Sequence, residues 1–269
     1  MSQITYAVKA VVIRNTSHLI DGQTKLRVVS AAAEAPPLSF MNDDHEYILS
    51  RTKTLRKGVF SGTLGGIVVS TAQTKALMLS PTSPSTCTAV STMATLNLLF
   101  YPRHILSVPP KLGRVITKIK ASTFFSLIPS DSSPSFSEQY GEVTGRCGVY
   151  STSVRLSSQI LESVTWTKHE PKSTYMGEIM NTSTSSHISG NTRPEGNGVY
   201  YAAKILVPIT LPPSKTWVPS FNTCLISRIY TIAISLKIHS PGIGAPASTI
   251  SLRLPVQTAS LEILNMERN

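Results

Sequence analysis

Two groups of basic residues are the part of the sequence best placed to act on a partner. Arg51, Lys53, Arg56 and Lys57 fall in the run RTKTLRK, and Arg103, His104, Lys111, Arg114, Lys118 and Lys120 follow further on. Lys118 and Lys120 share one parity of an alternating segment, and Lys9 and Arg14 add charge to the first such segment. Gathered on one face of a sheet, Lys9, Arg14, Arg51, Lys53, Arg56, Lys57, Lys118 and Lys120 would attract phosphate-bearing or acidic partners such as phosphopeptides or acidic lipid headgroups. The plainer reading is solubility, since 25 Lys and Arg against 14 Asp and Glu leave a formal charge of +11 over 269 residues. Nucleic acid ranks last, because the basic runs lack interleaved aromatics and no reading motif is present.

The search for catalysis is negative. The chain has no dinucleotide or nucleotide-triphosphate glycine loop, no HExxH and no GxSxG. Thr63-Leu64-Gly65-Gly66 lies within a strand-like run, where a β-bulge is the better expectation than a phosphate loop. The six histidines are scattered without metal-ligand spacing. Asp43-Asp44-His45-Glu46 could offer oxygens to a hard cation, but reads more simply as a solvated acidic turn beside Arg51 and Lys53. No metal, cofactor or catalytic residue is assigned. Cys87, Cys147 and Cys224 are odd in number and lack CxxC spacing, so free thiols are expected. Tyr200, Tyr201, Trp217, Phe221 and Tyr230 could instead line a pocket for an apolar metabolite, although aromatic residues populate cores in any case.

The elements that must hold these residues are strands. Alternating or β-branched segments run over Ile4–Ile13, Lys25–Ser30 after an Asp21-Gly22 turn, Gly58–Ser70, Lys75–Ser80, Ala94–Phe100 and Arg114–Ala121. Others cover Val149–Leu156, Ser163–Lys168, Tyr200–Ile209, Leu225–Ile238 and Ile250–Val256. Leu225–Ile238 is the clearest, with Tyr230, Ile232, Ile234, Leu236 and Ile238 on one parity and Ser227, Thr231 and Ser235 on the other. Helical signal is confined to one turn over Ser157–Ser163 and a short C-terminal stretch over Leu261–Arg268. The prolines, 18 in all, are expected mostly between strands. Ser130–Gln139 and Glu170–Gly198 lack apolar periodicity and are expected as long inserted loops. The fold class is therefore all-β: a large antiparallel β-sandwich of about ten strands. With no apolar leader and no run of ~18 apolar residues, a cytoplasmic chain without a transmembrane segment is expected.

A resemblance to a known family rests on the order of several short patterns. Val207-Pro208, Leu211-Pro212-Pro213, Pro219-Ser220-Phe221, Cys224, Ser227-Arg228-Ile229-Tyr230 and Leu254-Pro255-Val256-Gln257 follow one another. Phe60-Ser61-Gly62-Thr63-Leu64, Leu98-Leu99-Phe100-Tyr101-Pro102, Pro109-Pro110-Lys111-Leu112 and Lys120-Ala121-Ser122-Thr123-Phe124-Phe125 precede them. Together they resemble the arrestin-like N-terminal domain found in many fungal proteins, over most of residues 1–257, with residues 258–269 as a tail. The resemblance implies an immunoglobulin-like sandwich without catalysis, an adaptor gripping phosphorylated or acidic cytoplasmic tails of membrane proteins in endocytosis or signalling. It also implies a second sandwich, which is not expected within residues 1–269, and ubiquitin-ligase recruitment through PPxY, which Pro36-Pro37-Leu38-Ser39-Phe40 does not match.

The first reading is accordingly a non-catalytic binding module, partnered by membrane-protein tails or an acidic lipid surface and peripheral at membranes. The second is a sandwich recruited to bind or convert an apolar small metabolite. Exposed sheet edges leave a homo-oligomer open.

Overall fold

The computed structural model describes residues 6–14, 17–26, 47–58, 62–79, 90–129, 147–161, 163–170, 198–241 and 247–260. Within them lie fourteen strands. Tyr6–Arg14 (β1) and Ser17–Leu26 (β2) pair as a hairpin. Asp21 and Gly22 face Val11 and Ala10 in mid-ladder, so the turn expected at that pair is overturned: Arg14 faces Ser17 instead.

The remainder is a sandwich of two five-stranded sheets. The first contains Ser50–Arg56 (β3), Thr63–Thr71 (β4), Ser91–Pro102 (β6), Tyr200–Thr210 (β10) and Thr167–His169 (β9), in the order β3-β4-β6-β10-β9. The second runs Phe221–Asn222 (β11), Ile226–His239 (β12), Lys111–Ser126 (β7) and Cys147–Ile160 (β8). Ser248–Val256 (β13) pairs with β12 on the side away from β7. Leu77–Leu79 (β5) and Thr258–Ser260 (β14) form a small parallel ladder.

Alternation explains the core. In β12, Tyr230, Ile232, Ile234, Leu236 and Ile238 are all buried, as are Ile250, Leu252, Leu254 and Val256 beside them on β13. They pack against Ile67, Val69, Leu96, Leu98, Phe100, Val207 and Ile209 of the facing sheet. The opposite parity carries hydroxyls that bond across the ladder, with Ser235 and Ser251 at 2.9 Å and Ser122 and Ser151 also at 2.9 Å.

Several sequence expectations need correcting. The strands outnumber the segments read from the sequence, because β11 and β14 are too short to show a period and β3 is masked by its basic residues. β2 begins at Ser17 rather than Lys25. The basic run 51–57 is not a lead-in to a strand at Gly58: all of it but Lys57 lies in β3, and β4 begins only at Thr63. Ser157–Ile160 completes β8 rather than making a helical turn. Most prolines among the described residues lie between strands, as expected, and Pro102, Pro208 and Pro255 lie inside them. Pro208 and Pro255 are tolerated because, among the described residues, β10 has no ladder partner beyond Ala202 on its outer side and β13 meets a single bridge, at Arg253, on its own outer side. The bulge expected near Gly65 is present: Leu55 faces Gly65 and Arg56 faces Thr63, so Leu64 is the extra residue. Residues 130–139, the interior of 170–198, the acidic turn 43–46 and the stretch 261–268 lie outside the described residues.

Candidate basic face on the second sheet

Register places cations of β7, β8 and β13 on one face of the second sheet. In β7 the residues Val115, Thr117, Ile119 and Ala121 are buried, which turns Arg114, Lys118 and Lys120 to the outer face. Lys118 is the direct partner of Arg155 on β8 and of Ala233 on β12. Ala233 is in turn the partner of Arg253 on β13. One row across the sheet thus reads Arg155, Lys118, Ala233, Arg253, and its three cations are exposed. With strands about 4.8 Å apart, the row spans about 15 Å. Lys120 stands two residues along β7 from Lys118, roughly 7 Å away, the repeat of alternate side chains in an extended peptide. Arg114 and the exposed Lys237 lie on the same face nearer the end of the sheet where β7 begins.

The four strands that build this face carry no charge of the opposite sign: β7, β8, β12 and β13 contain no aspartate or glutamate. Of the other cations, Arg228 is committed to structure. Its Nε donates to the Tyr230 hydroxyl at 2.8 Å and its guanidinium to Thr123 Oγ1 at 3.1 Å, while the Tyr230 hydroxyl donates to the Val218 carbonyl at 2.5 Å.

The eight residues singled out from the sequence do not form one cluster. Lys118 and Lys120 share the outer face just described. Arg51 and Lys53 share the parity of buried Leu55 at the rim of the sandwich, where Lys53 Nζ donates to the Thr249 carbonyl of β13 at 3.2 Å. That bond ties one sheet to the other. Arg56 and Lys57 sit beyond the bulge, at the end of β3. Lys9 and Arg14 lie on β1, opposite Gln23 and Ser17. Arg155 and Arg253 were not singled out, although both lie in segments read as strands. Their contribution depends on cross-strand register, which no single segment reveals.

The five aromatic residues divide as well. Trp217 packs on Tyr230 with ring centres 6.2 Å apart, and Phe221 faces Arg228 at the same end of β12. Tyr200 and Tyr201 lie at the other end of the sandwich, where Tyr200 stacks on His169 at 4.7 Å and Tyr201 tilts against Phe100. Two surface depressions among the described residues, of about 750 and 450 Å³, are lined by none of the five. Near Tyr200, Lys168 and Glu170 form an ion pair at 2.5 Å. The hydrogen bond and charge between them raise the lysine pKa above its ordinary value and lower that of the glutamate. Among the described residues no group of three or more His, Cys, Asp or Glu gathers, and Cys147 and Cys224 are exposed thiols. No helix among the described residues is long and apolar enough to cross a membrane.

A comparison with curated proteins finds no match. Residues 144–259 match the model of a family described as Bul1 C terminus. The match begins just before β8 and runs through most of β14, so it covers Arg155 and Arg253 but not Lys118. It is to a C-terminal model, whereas the short patterns in the sequence resemble an N-terminal arrestin-like domain. Through residues 144–259 the chain is similar to a family of arrestin-related trafficking adaptors.

Proposed function

We propose that the chain is a non-catalytic, arrestin-like adaptor module that receives a phosphorylated or acidic segment of a membrane protein on the outer face of its second sheet. The observation that carries this reading is the row Arg155, Lys118, Arg253 on four strands that contain no carboxylate. Arginine suits the role because its planar fork of donors matches phosphate or carboxylate oxygens two at a time. A segment laid along β7 would present alternate residues at the spacing of Lys118 and Lys120, while the row across the sheet widens the target for a second charge. The similarity of residues 144–259 to trafficking adaptors supports the cellular setting.

The test is fluorescence anisotropy with matched peptides, one bearing phosphoserines at alternate positions and one bearing serines. The phosphorylated peptide is expected to bind at least about tenfold more tightly, with affinity falling as salt rises. Equal affinity for both peptides would remove the basis of the proposal.

A further inference from the structure

The loop between β6 and β7 carries an exposed apolar tip at one end of the sandwich. One hydrogen bond closes the turn, from the Ser107 amide to the His104 carbonyl at 2.9 Å, and a second ties its start to β4, from the Arg103 amide to the Leu64 carbonyl at 3.0 Å. This turn leaves Ile105, Leu106 and Val108 projecting, at 50%, 92% and 64% exposure. Pro109 and the buried Pro110 then stiffen the return into β7. Single exposed aliphatics are ordinary on a protein surface, but three within four residues of a tied turn are a patch.

Cations surround this patch. Arg103 and His104 precede the tip and Lys111 follows it, all exposed, and Lys57 shares with Ile105 and Leu106 the wall of the 750 Å³ depression. Segments 47–58 and 101–114 hold no carboxylate. The shape selects the occupant. A ligand filling the depression would cover Leu64 and Pro241, yet Leu106 at 92% exposure projects away from any floor. Only a surface that receives the loop from outside covers the aliphatics and meets the cations together.

We propose that this loop docks the protein on an anionic lipid bilayer, with Ile105, Leu106 and Val108 entering the headgroup boundary and Lys57, Arg103 and Lys111 contacting anionic headgroups. Stable but reversible attachment takes two signals, and an apolar tip with a basic collar supplies both. This docking does not depend on the peptide-binding reading, because it uses different residues.

The experiment is vesicle co-sedimentation of the full chain. Wild-type protein is expected to bind phosphatidylcholine–phosphatidylserine vesicles and not phosphatidylcholine alone. Leu106→Asp should weaken binding by roughly tenfold or more, because a charge replaces the side chain that enters the apolar layer. Arg103→Glu and Lys57→Glu should each weaken it at least about fivefold. Leu106→Trp should show a blue shift of the new emission on mixed vesicles. Each variant is checked for an unchanged melting curve, which the exposure of Leu106 favours. Absence of binding to mixed vesicles, or undiminished binding by Leu106→Asp, would overturn the proposal. So would a vesicle-free dimer that Leu106→Asp dissociates, since the occupant would then be a second copy.

Discussion

Lys118 on β7 and Arg155 on β8 are direct cross-strand partners, both exposed, with Arg253 in the same row beyond Ala233. Like charges placed opposite one another in an antiparallel pair work against the sheet. A surface optimised for stability alone would pair one of them with a carboxylate. Arg155→Glu should therefore move two quantities in opposite directions. Thermal stability should rise by about a few tenths of a kcal/mol as a lysine–carboxylate pair replaces the repulsion, while affinity for an acidic peptide falls. A melting curve and an anisotropy titration on the same sample check both. A variant that loses stability and keeps its affinity would contradict the assignment.

Tyr230 is the polar hinge of the opposite end. It is 1% exposed, and its hydroxyl both donates to Val218 and accepts from Arg228. Tyr230→Phe leaves the Val218 carbonyl with only the longer bond from Thr258 Oγ1 and removes one acceptor from the Arg228 guanidinium, at a cost of about 1 kcal/mol in chemical denaturation. Peptide affinity should be unchanged, because Arg228 takes no part in the outer face.

Gly65 sits where β4 passes β6 closely. A Cβ built there would collide with the Tyr101 carbonyl oxygen and press on the Phe100 ring at 2.9 Å. The first obstacle is backbone and cannot swing aside. Gly65→Ala should destabilise the sandwich by about 1–3 kcal/mol through forced backbone shift, read as a lower denaturation midpoint. Gly22, with nothing near its Cβ position, serves as the comparison.

The Lys168–Glu170 pair gives a pH dependence whose sign follows from the two shifts. The glutamate pKa is lowered, so its contribution is present above its unfolded pKa and is lost as pH falls through the folded one. The lysine pKa is raised, so its share is present below its unfolded value and is lost as pH rises through the folded one. Between those limits the pair is intact, and because both groups are exposed, Glu170→Gln should leave the melting temperature unchanged within error. A clear drop at neutral pH would show that the pair anchors β9 more firmly than its solvent exposure implies.

Much of the fold is legible in the sequence, and β12 shows why. Its period of two runs unbroken from Tyr230 to Ile238, so its buried face can be read off before any neighbour is known. The shortest strands cannot be found this way: β11 and β14 span two and three residues and exist because longer neighbours offer them partners. β3 reads as a basic run because its charges mask its period. The Asp21-Gly22 pair carries a turn signal that the β1–β2 ladder overrides. The basic face is half legible. Lys118 and Lys120 show their shared side within one segment, whereas Arg155 and Arg253 join it through pairings between strands far apart in the chain. Arg51 and Lys53 share a parity too, but their strand lies at the rim, where Lys53 serves to strap the two sheets.

The most direct test of the basic face is a titration of a phosphorylated acidic peptide against wild type and the double variant Lys118→Glu, Arg155→Glu at low and physiological salt. The double variant should lose at least about tenfold in affinity and show a much weaker salt dependence than wild type. Equal affinity and equal salt response in the two proteins would contradict a peptide site on this face.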